Sequence, residues 1–175
     1  MLRAVRQEYE RYDGFIRRVL VQVDEEELNR IPVDGGNSIG MLINHLNGNL
    51  QSRFTDFLTS DGEKSWRKRE EEFAAVHVTR SQAMDRWNAV FHVVCNALED
   101  LSDADLEKTV SIRGVPMTVA EALQRSVAHV SYHVGQMVLI GRMARLANWD
   151  WITIPPGGTA AYNANPNKET GFDKS

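Results

Sequence analysis

Apolar residues recur at steps of three and four along four long stretches of this chain, and that period constrains its fold most. Leu2, Val5, Tyr9, Tyr12, Ile16 and Leu20 mark the first amphipathic helix, which Asp13 and Gly14 are expected to interrupt or bend. Ser38 is placed to cap a second helix through "IGMLINHLNGNLQSRFTDFLT", residues 39–59. Thr79 and Gln82 have the spacing of a capping box, ahead of a third helix whose stripe reads Met84, Trp87, Phe91, Val94 and Leu98. Thr118 and Glu121 repeat that spacing before a fourth, which runs on toward Leu146.

The connections are short or polar. Asp24 can cap "EEELNRI", whose glutamates complement the positive end of a helix dipole, and "PVDGGNS" then breaks the chain. "SDGEK" at 60–64 is a turn, and the charged run "KSWRKREEEF" at 64–73 reads as a solvated face. "VSIRGVPMT" is β-branched around a central glycine, which fits a short extended excursion or a small hairpin. The expectation is an all-α four-helix bundle over residues 1–154, followed by an extended, non-helical C-terminal tail over 155–175. Tyr162 and Phe172 are candidates to anchor that tail on a neighbouring surface.

Charge and composition narrow the function. A net charge of −4 argues against nucleic acid, which demands a concentrated basic surface. No run approaches the ~18 apolar residues of a membrane helix, and the first residues lack the apolar core of a secretory signal. The single cysteine, Cys95, cannot form an internal disulfide and sits beside the third helix's apolar stripe. Cytoplasmic residence is the expectation.

Chemistry is concentrated in "HVSYHVGQMV", residues 129–138. His129 and His133 stand four apart on an otherwise apolar helix, rotated by only ~40° and offset by ~6 Å, so both imidazoles can reach one ion. A third ligand must come from elsewhere, and His45 on the second helix is the natural candidate. Asn49 and Arg53 follow His45 at four-residue steps, while Arg125, Tyr132 and Gln136 accompany the histidine pair. Polar groups turned into a bundle are costly unless paired or coordinated, and the two stripes facing each other around one cavity would satisfy both. Two readings stay open on these residues alone: a three-histidine site for zinc or nickel, or core histidines satisfied by hydrogen bonds. His77 and His92 read as surface or boundary residues.

A histidine within "NHLNGNLQSRFTDFLTSDGEK" followed by an HxxxHxGQ element resembles the DinB/YfiT-like superfamily of bacterial four-helix bundles. The resemblance extends from about residue 5 to "IPPGG". It implies a divalent metal held by His45, His129 and His133, and a homodimer formed through bundle helices. Relatives in that superfamily include thiol-dependent S-transferases and isomerases using bacillithiol, mycothiol or glutathione.

The function expected is therefore a divalent-metal-binding protein acting as a thiol S-transferase. Asn49, Arg53, Arg125, Tyr132 and Gln136 are then candidates for contacts to substrate or to the ligand imidazoles, with Arg53 and Arg125 suited to carboxylates on a low-molecular-weight thiol. The alternatives are a metal-dependent hydrolase, with Glu121 or Asp56 as base, and a non-catalytic metal-binding or stress-response module.

Overall fold

The computed structural model describes residues 1–75 and 77–165. Four long helices carry the fold: α1 (Leu2–Gln22), α3 (Ile39–Phe54), α5 (Arg80–Glu99) and α6 (Val119–Arg145). Two short ones, α2 (Glu25–Asn29) and α4 (Arg69–Glu72), lie on either side of α3 in the chain. Both α1 and α3 pack against α5 and α6, so the four long helices enclose one core. Each supplies a fully buried stripe: Ile16, Val19 and Leu20; Leu42, Leu46 and Leu50; Trp87, Val94 and Leu98; Leu123, Val130 and Met137. This is a bundle with its apolar period turned inward.

The caps form as the sequence predicts. Asp24 with Glu27, Thr79 with Gln82 and Thr118 with Glu121 each exchange side-chain and backbone hydrogen bonds at a helix start. Ser38 Oγ accepts from the Met41 backbone N–H at 3.1 Å. Three expectations change.

Asp13 and Gly14 do not interrupt α1. The Asp13 carboxylate is held inside the helical run by Arg17 one turn on and by Trp87 Nε1–H at 2.8 Å, so α5 supports the segment that local propensity weakens.

The second predicted helix stops at Phe54 rather than running to residue 59. Asp56 takes a positive φ of 48°, and Phe57 folds back to stack on Phe54 with ring centroids 5.4 Å apart. Ser52 Oγ then donates to the Gly62 carbonyl and accepts from the Lys64 N–H, tying the 60–64 turn to the helix it leaves.

The tail is not wholly extended. Thr159–Ala164 form a six-residue helix, α7, after the Pro-Gly break, using three alanines of high helix propensity. Phe172 lies outside the described residues.

Between α5 and α6 stands a hairpin of β1 (Thr109–Ile112) and β2 (Val115–Thr118), antiparallel in register Ile112 to Val115. Its two turn residues, Arg113 and Gly114, have φ of 57° and 73°, as a tight primed turn requires. Asp61 fastens the hairpin to the loop after α3, accepting from the Arg113 and Gly114 N–H groups at 2.8 Å each and from Ser111 Oγ at 2.7 Å. These bonds, led by that from Gly114, hold the Asp61 carboxyl far below the usual carboxylate range. The hairpin thereby becomes one wall of the cleft described next. Among the described residues no helix is long and apolar enough to cross a membrane.

Candidate metal centre

His45 projects from α3, and His129 and His133 from successive turns of α6. Their rings meet at one point. His129 Nε2 lies 3.1 Å from His45 Nε2 and 3.1 Å from His133 Nε2, and one ligand atom from each residue falls within 4.8 Å of the others. His45 and His133 are buried and His129 is partly so.

The far nitrogens are taken. His45 Nδ1 faces Glu72 Oε2 at 2.8 Å, and His133 Nδ1 faces Gln136 Oε1 at 2.8 Å. Burial alone would raise the Glu72 carboxyl, but the hydrogen bonds from Arg67 and His45 and the charge of Arg67 outweigh it and hold it low. An ionised carboxylate and an amide oxygen only accept, so both Nδ1 atoms carry the proton and both Nε2 atoms present lone pairs.

That tautomer assignment tests the fit of a cation. Two Nε2 lone pairs point at a third Nε2, which can carry one proton and satisfy only one of them. Protonating His129 is no remedy, because burial first, then its neighbours His133 and His45, push it down to about 3. Burial lowers His133 as well. A cation accepts all three lone pairs. Two imidazole nitrogens on a tetrahedral zinc, each ~2.0–2.1 Å from it, stand roughly 3.3 Å apart, close to the two 3.1 Å spacings that His129 makes here.

The cluster opens on a cleft of about 410 Å³. All five accompanying residues singled out in the sequence line it: Asn49 and Arg53 from α3, Arg125, Tyr132 and Gln136 from α6. Gln136 touches a ligand imidazole directly, and Tyr132 packs edge-on against the His133 ring at 4.9 Å. Asn49 is buried on the turn between His45 and Arg53. The two proposed bases are elsewhere. Glu121 spends its carboxylate on the Thr118 cap, Asp56 is exposed beyond the end of α3, and neither lines the cleft. Cys95 does not line it either, and burial pushes its thiol up.

The run at 64–73 is a solvated face only in part: Ser65, Trp66, Lys68, Arg69, Glu70 and Glu71 are exposed, but Arg67, Glu72 and Phe73 turn inward. The Arg67 side chain is 2% exposed and that of Glu72 9%. Arg67 clamps Glu72 with two bonds of 2.8 and 2.9 Å and reaches Glu63 at 3.1 Å. Phe73 covers the His45 ring, centroids 4.5 Å apart. Gly48 makes the approach possible: a Cβ there would stand 2.7 Å from Glu72 Cδ. The sequence signal for this support was slight, an arginine and a glutamate five apart inside a charged run. Their burial follows from α4 crossing α3, which no local pattern records.

A profile described as "Protein of unknown function (DUF1572)" matches residues 1–158. The chain belongs to this family. No curated protein matches it. Among solved structures, this DUF1572 chain is similar to a DinB-like protein from Bacillus cereus, with a TM-score of 0.61 and 18% identity over 77% of this chain and 86% of that one. It is also similar to a conserved protein from Enterococcus faecalis, with a TM-score of 0.58 and 21% identity over 77% of this chain and 93% of that one. At such identities the likeness fixes the fold, which is DinB-like, as the sequence resemblance implies.

Proposed function

We propose that this protein is a metal-dependent thiol S-transferase in which His45, His129 and His133 hold zinc or nickel. The observation that carries the reading is the convergence of three Nε2 lone pairs at the end of an open cleft. Three imidazoles leave a tetrahedral ion one free position, the pattern of catalytic rather than structural sites. When bound, the ion favours the thiolate form of a thiol placed at that position.

The protein's own groups supply placement. Glu72 and Gln136 fix the imidazole tautomers from behind, and Asn49 offers an amide to a polar ligand between the histidines and Arg53. Among the described residues lining the cleft there is no aspartate, glutamate or cysteine, which favours a nucleophile brought in by the substrate over a water activated by a protein base. In the transfer, the thiol sulfur bonds to an electrophilic carbon, the leaving group departs with the electron pair of its broken bond, and the thiol proton passes to solvent.

Metal analysis by mass spectrometry, wild type beside His129→Ala, comes first. About one divalent ion per chain, lost in the variant, is expected of a three-ligand site. The loaded protein is then offered chlorodinitrobenzene with glutathione, bacillithiol or mycothiol. Failure to retain an ion after zinc and nickel are supplied, or no acceleration with any of the three thiols, sinks the reading.

A further inference from the structure

Five arginines line the cleft: Arg53, Arg67, Arg69, Arg113 and Arg125. Their pairing is uneven. Glu63 alone serves three of them, meeting Arg53 at 2.9 Å, Arg67 at 3.1 Å and Arg113 at 3.5 Å. Arg67 is further committed to Glu72, and Arg69 to Glu70 and the Phe73 ring. Arg125 has no carboxylate partner among the described residues. Arg53 is largely buried at its side chain, 14% exposed, and burial lowers its proton affinity, with Arg67 and Arg113 adding repulsion. Guanidinium charge therefore exceeds carboxylate charge where the cleft is still open.

The surplus is also placed. Arg125 precedes His129 by one turn of α6, and Arg53 follows His45 by two turns of α3. At 1.5 Å per residue these steps are ~6 Å and ~12 Å along the helices. The hairpin turn brings Arg113 to the same cleft, held by the bonds from its backbone and that of Gly114 to Asp61. Arg53, Arg113 and Arg125 thus line the cleft displaced from the histidines, on the side of the hairpin.

We propose that Arg53, Arg113 and Arg125 form a carboxylate-binding subsite, so that the cleft takes a small anionic molecule whose carboxylate stands away from its reacting atom. The assignment of the reacting atom as sulfur rests on the thiol reading above; the subsite itself does not. A guanidinium fork fits a carboxylate bidentately, and the wall from which Arg113 projects is not flexible side chain but a pinned turn.

The test uses cobalt-loaded full-length protein and two probes of equal length, mercaptohexanoate and mercaptohexanol. Calorimetry reads total affinity, and the sulfur-to-cobalt absorption reads whether the thiol reaches the ion. Mercaptohexanoate is expected to bind at least about tenfold more tightly than the alcohol, as befits charge-assisted hydrogen bonds. The preference should fall at least several-fold in the Arg113→Ala/Arg125→Ala double variant, where Arg53 alone remains, with cobalt content and Tm unchanged, since both replaced residues are exposed. Equal affinities for acid and alcohol, or a preference undiminished in the double variant, overturn the subsite. A carboxylate preference without the sulfur-to-cobalt band upholds the subsite and removes the thiol reading instead.

Discussion

Glu72 accepts a 2.8 Å hydrogen bond from His45 Nδ1 while both its oxygens are clamped by Arg67, so a buried ion pair stands directly behind a candidate metal ligand. The carboxylate holds the His45 tautomer and places negative charge near the three converging nitrogens, the arrangement that raises imidazole basicity in histidine metal sites. Replacing it by its neutral isostere keeps the shape and removes the charge. Glu72→Gln should weaken zinc binding by roughly 10–100-fold, measured by competition with a chromophoric chelator. It should also cost stability, because Arg67 is left buried with only Glu63 for a partner. A variant that binds zinc as wild type does would show that the pair serves packing alone.

Gly48 carries a second, independent handle on the same support. An added methyl group there meets Glu72 while the remainder of α3 is undisturbed. Alanine is favoured over glycine in a helix by ~1 kcal/mol, so an ordinary helical site would gain stability. Gly48→Ala is expected to lose it and to lower zinc affinity together, as Glu72 is pushed from His45. Paired urea unfolding and chelator competition read the two effects, and a rise in stability with zinc affinity intact would contradict the packing described here.

The histidines also fix how the metal-free protein responds to acid. His129 is pushed down to about 3, and His133 is lowered too, chiefly by burial, whereas an unfolded chain protonates its histidines near 6.5. Between those values the unfolded state binds protons that the folded state refuses. Stability is therefore full above about pH 6.5 and declines as the pH falls toward 3, with a limiting slope of about 1.4 kcal/mol per pH unit for each proton. Chelator-treated wild type should lose urea resistance between pH 7 and pH 5 more steeply than His129→Ala. Parallel curves for the two proteins would mean that His129 takes up its proton in the folded state.

Local signals carried the sequence reading furthest. The caps at Asp24, Ser38, Thr79 and Thr118 are contacts across three residues, and the histidine pair is a contact across four, so spacing alone reveals them. His45 was legible because a polar stripe on a core-facing helix needs a counterpart. What stayed hidden depends on distant partners. Asp13 within an unbroken α1 is held by Arg17 one turn on and by Trp87, 74 residues away, and the second of these partners leaves no local signal. The end of α3 is set by Phe57 stacking and by Gly62 and Lys64 folding back on Ser52, not by a breaker within the helix. Arg67 and Glu72 have the composition of a solvated run, and the crossing over Gly48 that buries them leaves no periodic trace.

One apolar face remains open to solvent. Tyr132, Leu139 and Met143 follow one another along α6 at steps of seven and four. All three are more than half exposed, and a Cβ at Gly135 between them would meet nothing within 4 Å. Steps of this kind keep side chains on one side of a helix, and small residues among them let a second helix approach. A homodimer packing α6 against its symmetry mate would cover the stripe, as the family resemblance implies. Sedimentation velocity at tens of micromolar is expected to give a dimer for wild type and a monomer for Leu139→Glu, whose charge would be buried in such an interface. Because Leu139 is 58% exposed in the single chain, the variant's helix content should not change. A wild-type monomer across that range, or a dimer indifferent to the substitution, would place the contact elsewhere.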